Sequence, residues 1–236
     1  MKHSHGNILF VVLLGIVLFG ALNFTVLRSS EEDVVINHDA YADANQLIQY
    51  GESLRQAVAY LRTNHGCTLK QLNFDPPPFD GSVLSGDYIN PNSPTDFSCH
   101  VFHPNGGKAS YRLEEFADMF GIEYASNRIA IGEGSDLRQI GTTECASPEC
   151  TEVYLSLVTN TETASDICSS YNKILGNETL IPTPIVNYVV HAIPYTGSFT
   201  LSHMSNRPAF IGLKSFCFVH EANNDIIYFM YVLIER

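Results

Sequence analysis

Positive charge is scarce in this chain. Thirteen Lys and Arg stand against 25 Asp and Glu; beyond Arg28 only eleven of the thirteen remain, for a formal charge of −14. So acidic a surface argues against binding nucleic acid and against adhesion to anionic lipid headgroups. Enzyme signatures are missing too. There is no G-x-S-x-G elbow, no H-E-x-x-H pair and no glycine-rich phosphate loop. The nine histidines are scattered, and His191, His203 and His220 have no ligand-like arrangement with carboxylates. No catalytic residue, resident metal or cofactor is expected, and no internal repeat is present.

Charge is absent altogether from Ile8 to Leu27, a run of twenty residues. At about 1.5 Å rise per residue it reaches roughly 30 Å, the thickness of a bilayer's hydrocarbon core. A cleaved signal peptide would have an apolar region of about 7–15 residues followed by small residues. Here the run is longer and ends in Phe24-Thr25-Val26-Leu27-Arg28, so a retained single span is expected. Lys2 on one side and Arg28 on the other leave the positive-inside rule undecided. The short N-terminus and the cysteines favour an N-inside orientation. All six cysteines (Cys67, Cys99, Cys145, Cys150, Cys168 and Cys217) follow the run, and an even number on one side suits disulfides in an oxidising compartment.

The 208 residues from Ser29 onward suffice for one good core or two small ones. After a polar break at Ser29–Asn37 the pattern turns helical from Asp39 to Asn64. Ala40, Ala44, Leu47, Gly51, Leu54, Val58 and Leu61 recur at steps of four and three, one stripe of a helix that ends near Gly66. Small residues in the stripe suit packing on a sheet, or alternatively on a neighbouring helix. From Asn73 to Gly107 prolines crowd in, at 76–78, 91, 94 and 104, and describe a long irregular segment. Segments of this length are uncommon unless functional or stapled. Cys67 and Cys99 lie near its two ends and are expected to pair.

Downstream the reading is α+β. Strands are expected at Arg128–Ile131, Glu152–Val158 and Ile185–Ile193, and a helix at Thr163–Leu175. Thr163 and Asp166 have capping-box spacing, Gly176 is a C-cap, and Ala164, Ile167, Cys168, Tyr171, Ile174 and Leu175 form the buried face. Ala209–His220 and Asp225–Glu235 read as a β-hairpin. Its second strand, apolar on both faces, should be central and covered. A bridge from Cys168 on the helix to Cys217 in the hairpin is natural, which leaves Cys145 with Cys150. Fifteen pairings of six cysteines are possible in principle.

Other motifs carry little. Cys99-His100-Val-Phe-His103 offers metal-ligand types, as do Cys145 and Cys150, but structural zinc usually takes two tighter pairs. Gly132-Glu-Gly134 and Gly106-Gly107 read as turns. Asn23-Phe-Thr25 and Asn177-Glu-Thr179 match the glycosylation acceptor pattern, the first inside the apolar run.

The order of the N-terminal elements is itself informative. A six-residue polar leader ends in Gly6, an apolar helix starts at once, and an amphipathic helix and a cysteine-stapled α+β domain follow. Over roughly the first 65 residues this resembles type IV pilins and the pseudopilins of type II secretion. The resemblance implies that a prepilin peptidase cuts between Gly6 and Asn7, and that apolar helices bundle through Gly15, Gly20 and Ala21, where small residues allow close approach. It implies a bacterial inner-membrane anchor with a cytoplasmic N-terminus and a periplasmic or extracellular domain. Two positions depart from the family. Asn7 stands where an apolar residue usually follows the cut, and Val11 where a Glu usually pairs with a neighbour's terminal amine. Some minor, tip-located pseudopilins lack that Glu. The opening GNILFVVLLGIVLFGALNF and closing YFMYVLIER also resemble uncharacterised bacterial single-span proteins.

The chain thus divides into leader (1–6), transmembrane helix (7–28), amphipathic stalk (29–66) and an α+β domain (67–236). The fold expected is a long N-terminal helix, transmembrane and then amphipathic, followed by a disulfide-stapled antiparallel sheet with a helix packed on it. The function expected is a non-enzymatic pilin-like subunit that associates with copies of itself or with other pilin-like subunits. A membrane-tethered module that binds alone, through the 73–107 segment, is the alternative.

Overall fold

The computed structural model describes residues 38–77, 89–112, 115–116, 119–120, 129–134, 153–159, 162–177, 192–197, 212–219 and 226–234. The apolar run, the leader junction Gly6–Asn7, the small residues Gly15, Gly20 and Ala21, and Cys145 with Cys150 lie outside them. No helix among the described residues is long and apolar enough to cross a membrane.

The expected amphipathic helix is α1, His38–Asn64. Every residue of the predicted stripe is buried, joined by Tyr50 and Ala57. Those two widen the stripe because α1 meets more than its strand and helix partners: the Tyr50 ring packs on Phe116 at 5.0 Å, and Ala57 lies against Gly107. The helix closes at Gly66, whose φ of +68° puts it in the left-handed region. There Cys67 N donates to Leu61 O at 3.2 Å, turning the chain back onto a carbonyl of the last helical turn.

The sheet has five strands: β1 (Ile129–Gly134), β2 (Val153–Thr159), β3 (Ala192–Pro194), β4 (Ser215–Val219) and β5 (Ile227–Ile234), in the order β3-β1-β2-β5-β4. Every neighbouring pair is antiparallel. The predicted hairpin is β4–β5, with Cys217 opposite Phe229. As its composition requires, β5 is buried along its whole length and lies between β2 and β4. Side chains alternate across a strand, so Phe229, Tyr231 and Leu233 join the core under the helices. Tyr228, Met230 and Val232 join a second cluster with Tyr154, Phe216 and Phe218. Within it the Phe218 and Tyr228 rings stack at 5.1 Å.

Two local expectations are corrected. Gly132-Glu-Gly134 is the end of strand β1, where Gly132 faces both Tyr154 of β2 and Pro194 of β3. Ladders on both sides outweigh the weak strand preference of glycine. Thr163 is not an N-cap, because the second helix, α2 (Glu162–Ile174), already contains it. Its C-terminus is as expected, with Gly176 at φ +72°. Of the expected buried face, Ala164, Ile167, Cys168 and Tyr171 are buried, whereas Ile174 and Leu175 only lean on the core.

α2 is fastened to the hairpin by covalent and polar bonds together. Cys168 and Cys217 form the expected disulfide, with Cα atoms 5.5 Å apart. The Asn172 amide donates to Cys217 O and accepts from Cys217 N, both at 2.8 Å. Asn177, in the glycosylation-type motif, donates to Ser215 O at 2.8 Å. The Tyr171 hydroxyl meets Ser215 Oγ and donates to Met230 O.

Beside α2, on the same face of the sheet, α1 crosses β5 at Gly51. A Cβ there would overlap Cγ and both Cδ atoms of the Tyr231 ring. In an open helix, Gly→Ala stabilises by about 1 kcal/mol. Here the ring is held by core packing, and its hydroxyl donates to Glu52 Oε2 at 2.7 Å, so it cannot retreat cheaply. Gly51→Ala is expected to lower stability by about 1–3 kcal/mol, the usual cost of overpacking. Thermal unfolding checks the sign; a raised midpoint would show that the ring yields freely.

Candidate functional site

The proline-rich segment is pinned at several points. Cys67–Cys99 is the second disulfide, with Cα atoms 5.9 Å apart. Asn73 N donates to Cys99 O and Val101 N to Asn73 O, at 3.0 and 2.9 Å. Farther along, the buried Asn90 amide donates to Lys70 O and Leu72 O, both at 2.7 Å. Gly106 and Gly107 sit in a turn, as expected. A Cβ at Gly107 would fall 2.6 Å from Val101 O and 3.2 Å from Ala57 Cβ, so the turn lies tight against α1.

The ligand types of the Cys99-His100-x-x-His103 motif are engaged otherwise. Cys99 is in the disulfide. Asn73 Oδ1 accepts from Asp75 N at 2.8 Å, which turns its Nδ2 toward His100 Nε2, 3.1 Å away. Since that amide nitrogen only donates, Nε2 is the unprotonated, accepting nitrogen of a neutral ring. Burial, with His103 nearby, pulls His100 down to about 4, against the pull of Asp96. His103 stacks on Phe97 with ring centroids 4.3 Å apart and accepts from Asn105 N at 3.1 Å. Among the described residues no three His, Cys, Asp or Glu side chains come together as a metal site.

A groove of about 560 Å³ runs between α1 and the 107–112 strip. That volume falls within the range of small-molecule sites, roughly 300–1,000 Å³. One wall is Gln49, Ser53, Gln56 and Tyr60, at steps of four, three and four, a polar row beside the buried stripe. The other wall is Gly107 to Ser110 and Arg112. The Tyr50 hydroxyl is buried at this site and faces the Arg112 backbone without closing a well-formed hydrogen bond. Burial raises its pKa far above the ordinary range for a phenol, so it is an uncharged donor and acceptor.

Electrostatically the groove differs from the rest of the chain. Among the described residues no acidic side chain lines it, although acids outnumber bases 25 to 13 overall. Arg112 is bonded to Glu115 at 2.6 Å and lies over the Phe116 ring. Glu52, around the helix from the groove, is held down at about 2 by its bonds to Arg55, aided by the Tyr231 hydroxyl and Gln56 and opposed by partial burial. Burial, reinforced by the hydrogen bond to Glu52, pushes Tyr231 up to about 12.

Sequence reading did not single out these groove residues. The polar row on α1 was visible as a period, but nothing in the sequence says that Lys108 and Arg112 lie opposite it. No family model, no curated protein and no solved structure matches this chain.

Proposed function

We propose that the chain is a non-enzymatic, pilin-like or pseudopilin-like subunit of a bacterial cell-envelope assembly, anchored N-inside in the inner membrane and joined to copies of itself or to related subunits through its N-terminal helix. The carrying observation is the docking of α1: the helix that follows the apolar run buries one stripe against an antiparallel sheet and a second helix, with exposed polar residues on its other side. The order of polar leader, apolar run, amphipathic helix and α+β domain supports the same reading, as do two disulfides suited to an oxidising compartment. Val11, in place of the Glu that would offset a buried amine, points to a minor or tip-located subunit.

Mass spectrometry of the protein taken from its own membranes tests this. The expected result is a chain that begins at Asn7, with a methylated amine. An intact Met1 would remove the main support for processing and, with it, for assembly of this kind.

A further inference from the structure

We infer that the groove beside α1 binds an acidic oligosaccharide. Its chemistry is mixed rather than apolar. Gln49 supplies an amide that both donates and accepts, as sugar hydroxyls require, and Gln56, whose Nε2 already donates to Glu52, adds its amide oxygen. Tyr60, 41% exposed, offers a ring face on which the apolar side of a sugar can lie. Its ring is braced edge-on by His65 at 5.3 Å.

Several groups at the site have unused capacity. Among the described residues the Gln49 amide, the Tyr60 hydroxyl and the Lys108 ammonium make no hydrogen bond or ion pair.

Charge selects the acidic member of the class. Lys108 and Arg112 line the groove and among the described residues no carboxylate does, in a chain of net charge −12. A uronate or sulfated sugar therefore meets the Lys108 ammonium here, beside an Arg112 guanidinium shared with Glu115, which favours this place over the more acidic remaining surface. Peptide recognition fits less well. The α1 wall has its backbone groups engaged within the helix, so it presents no ladder for an extended strand. A single exposed ring does not make the aromatic-lined trough that polyproline ligands use.

The test is calorimetric titration of the full chain in detergent with three probes: oligogalacturonate, neutral maltohexaose and hexaglutamate. Oligogalacturonate is expected to bind, more weakly as salt rises, and maltohexaose at least tenfold more weakly. Lys108→Asn removes the charge while suiting the backbone there, whose φ is +57°. It should weaken oligogalacturonate binding by about tenfold, the scale of one charge-assisted hydrogen bond. Tyr60→Ala, on the exposed surface, should weaken both sugars. The proposal is overturned if neither sugar binds at millimolar concentration, if hexaglutamate binds as tightly as oligogalacturonate, or if both variants bind like the parent.

Discussion

Replacing Cys168 and Cys217 together by alanine is expected to reduce the unfolding free energy by about 4 kcal/mol. The bridge closes a loop of 49 residues, and the chain-entropy treatment assigns a loop of that size roughly this much. Alanine is the right replacement, because both sulfurs are buried and serine would add unsatisfied hydroxyls. Against a typical total of about 5–15 kcal/mol, such a loss leaves the domain marginal. Guanidinium unfolding of parent and variant, both oxidised, measures it. A loss below about 1 kcal/mol would mean that the bridge restrains little in the unfolded chain. The Cys67–Cys99 bridge spans 32 residues, so the same treatment ranks it only about 0.4 kcal/mol lower.

Asn172→Ala comes next, with an expected loss of about 3 kcal/mol. The side chain is fully buried and serves both backbone groups of Cys217. Deleting it orphans a buried N–H and a buried C=O, each at about 1–3 kcal/mol. For a domain near 200 residues this lowers the thermal midpoint by about 6–12 °C. Asn172→Asp is the sharper variant. It keeps the acceptor for Cys217 N but sets an oxygen against Cys217 O. When the carboxyl is ionised the two oxygens repel; when protonated it can donate as the amide does. Its deficit should therefore shrink as pH falls through the carboxyl's titration, and a pH-independent deficit would argue against the two-bond arrangement. Combined with the disulfide variant, the losses should not add, since both changes act on Cys217.

Much of the fold could be read from local pattern. The α1 stripe, the Gly66 and Gly176 caps and the hairpin follow from periods and terminators that neighbouring residues set for themselves. The Cys168–Cys217 pair was readable because its helix and strand were. The failures lie where distant chain overrode local preference. Gly132 and Gly134 look like turn residues until β2 and β3 pair with them from either side. Tyr50 and Ala57 fall outside a narrow stripe until Phe116 and Gly107, some fifty residues or more along the chain, pack against them. Thr163 has cap chemistry, yet the helix begins ahead of it. The groove was hidden for the same reason, with Gln49 and Lys108 nearly sixty positions apart in the chain. Asn172 gave no sign either, since its partner lies 45 residues on.

The bonds from Asn172 and Asn177 to β4 matter beyond stability. Among the described residues β4 ends the strand order, and the outermost strand of any sheet is where an incoming chain can add its own ladder. At Ser215 and Cys217 side-chain amides already occupy the outward hydrogen-bonding positions, and the disulfide holds the helix that carries Asn172 in place. An incoming strand would have to displace the amide bonds at Ser215 O and at both backbone groups of Cys217 before it could pair with that stretch of β4.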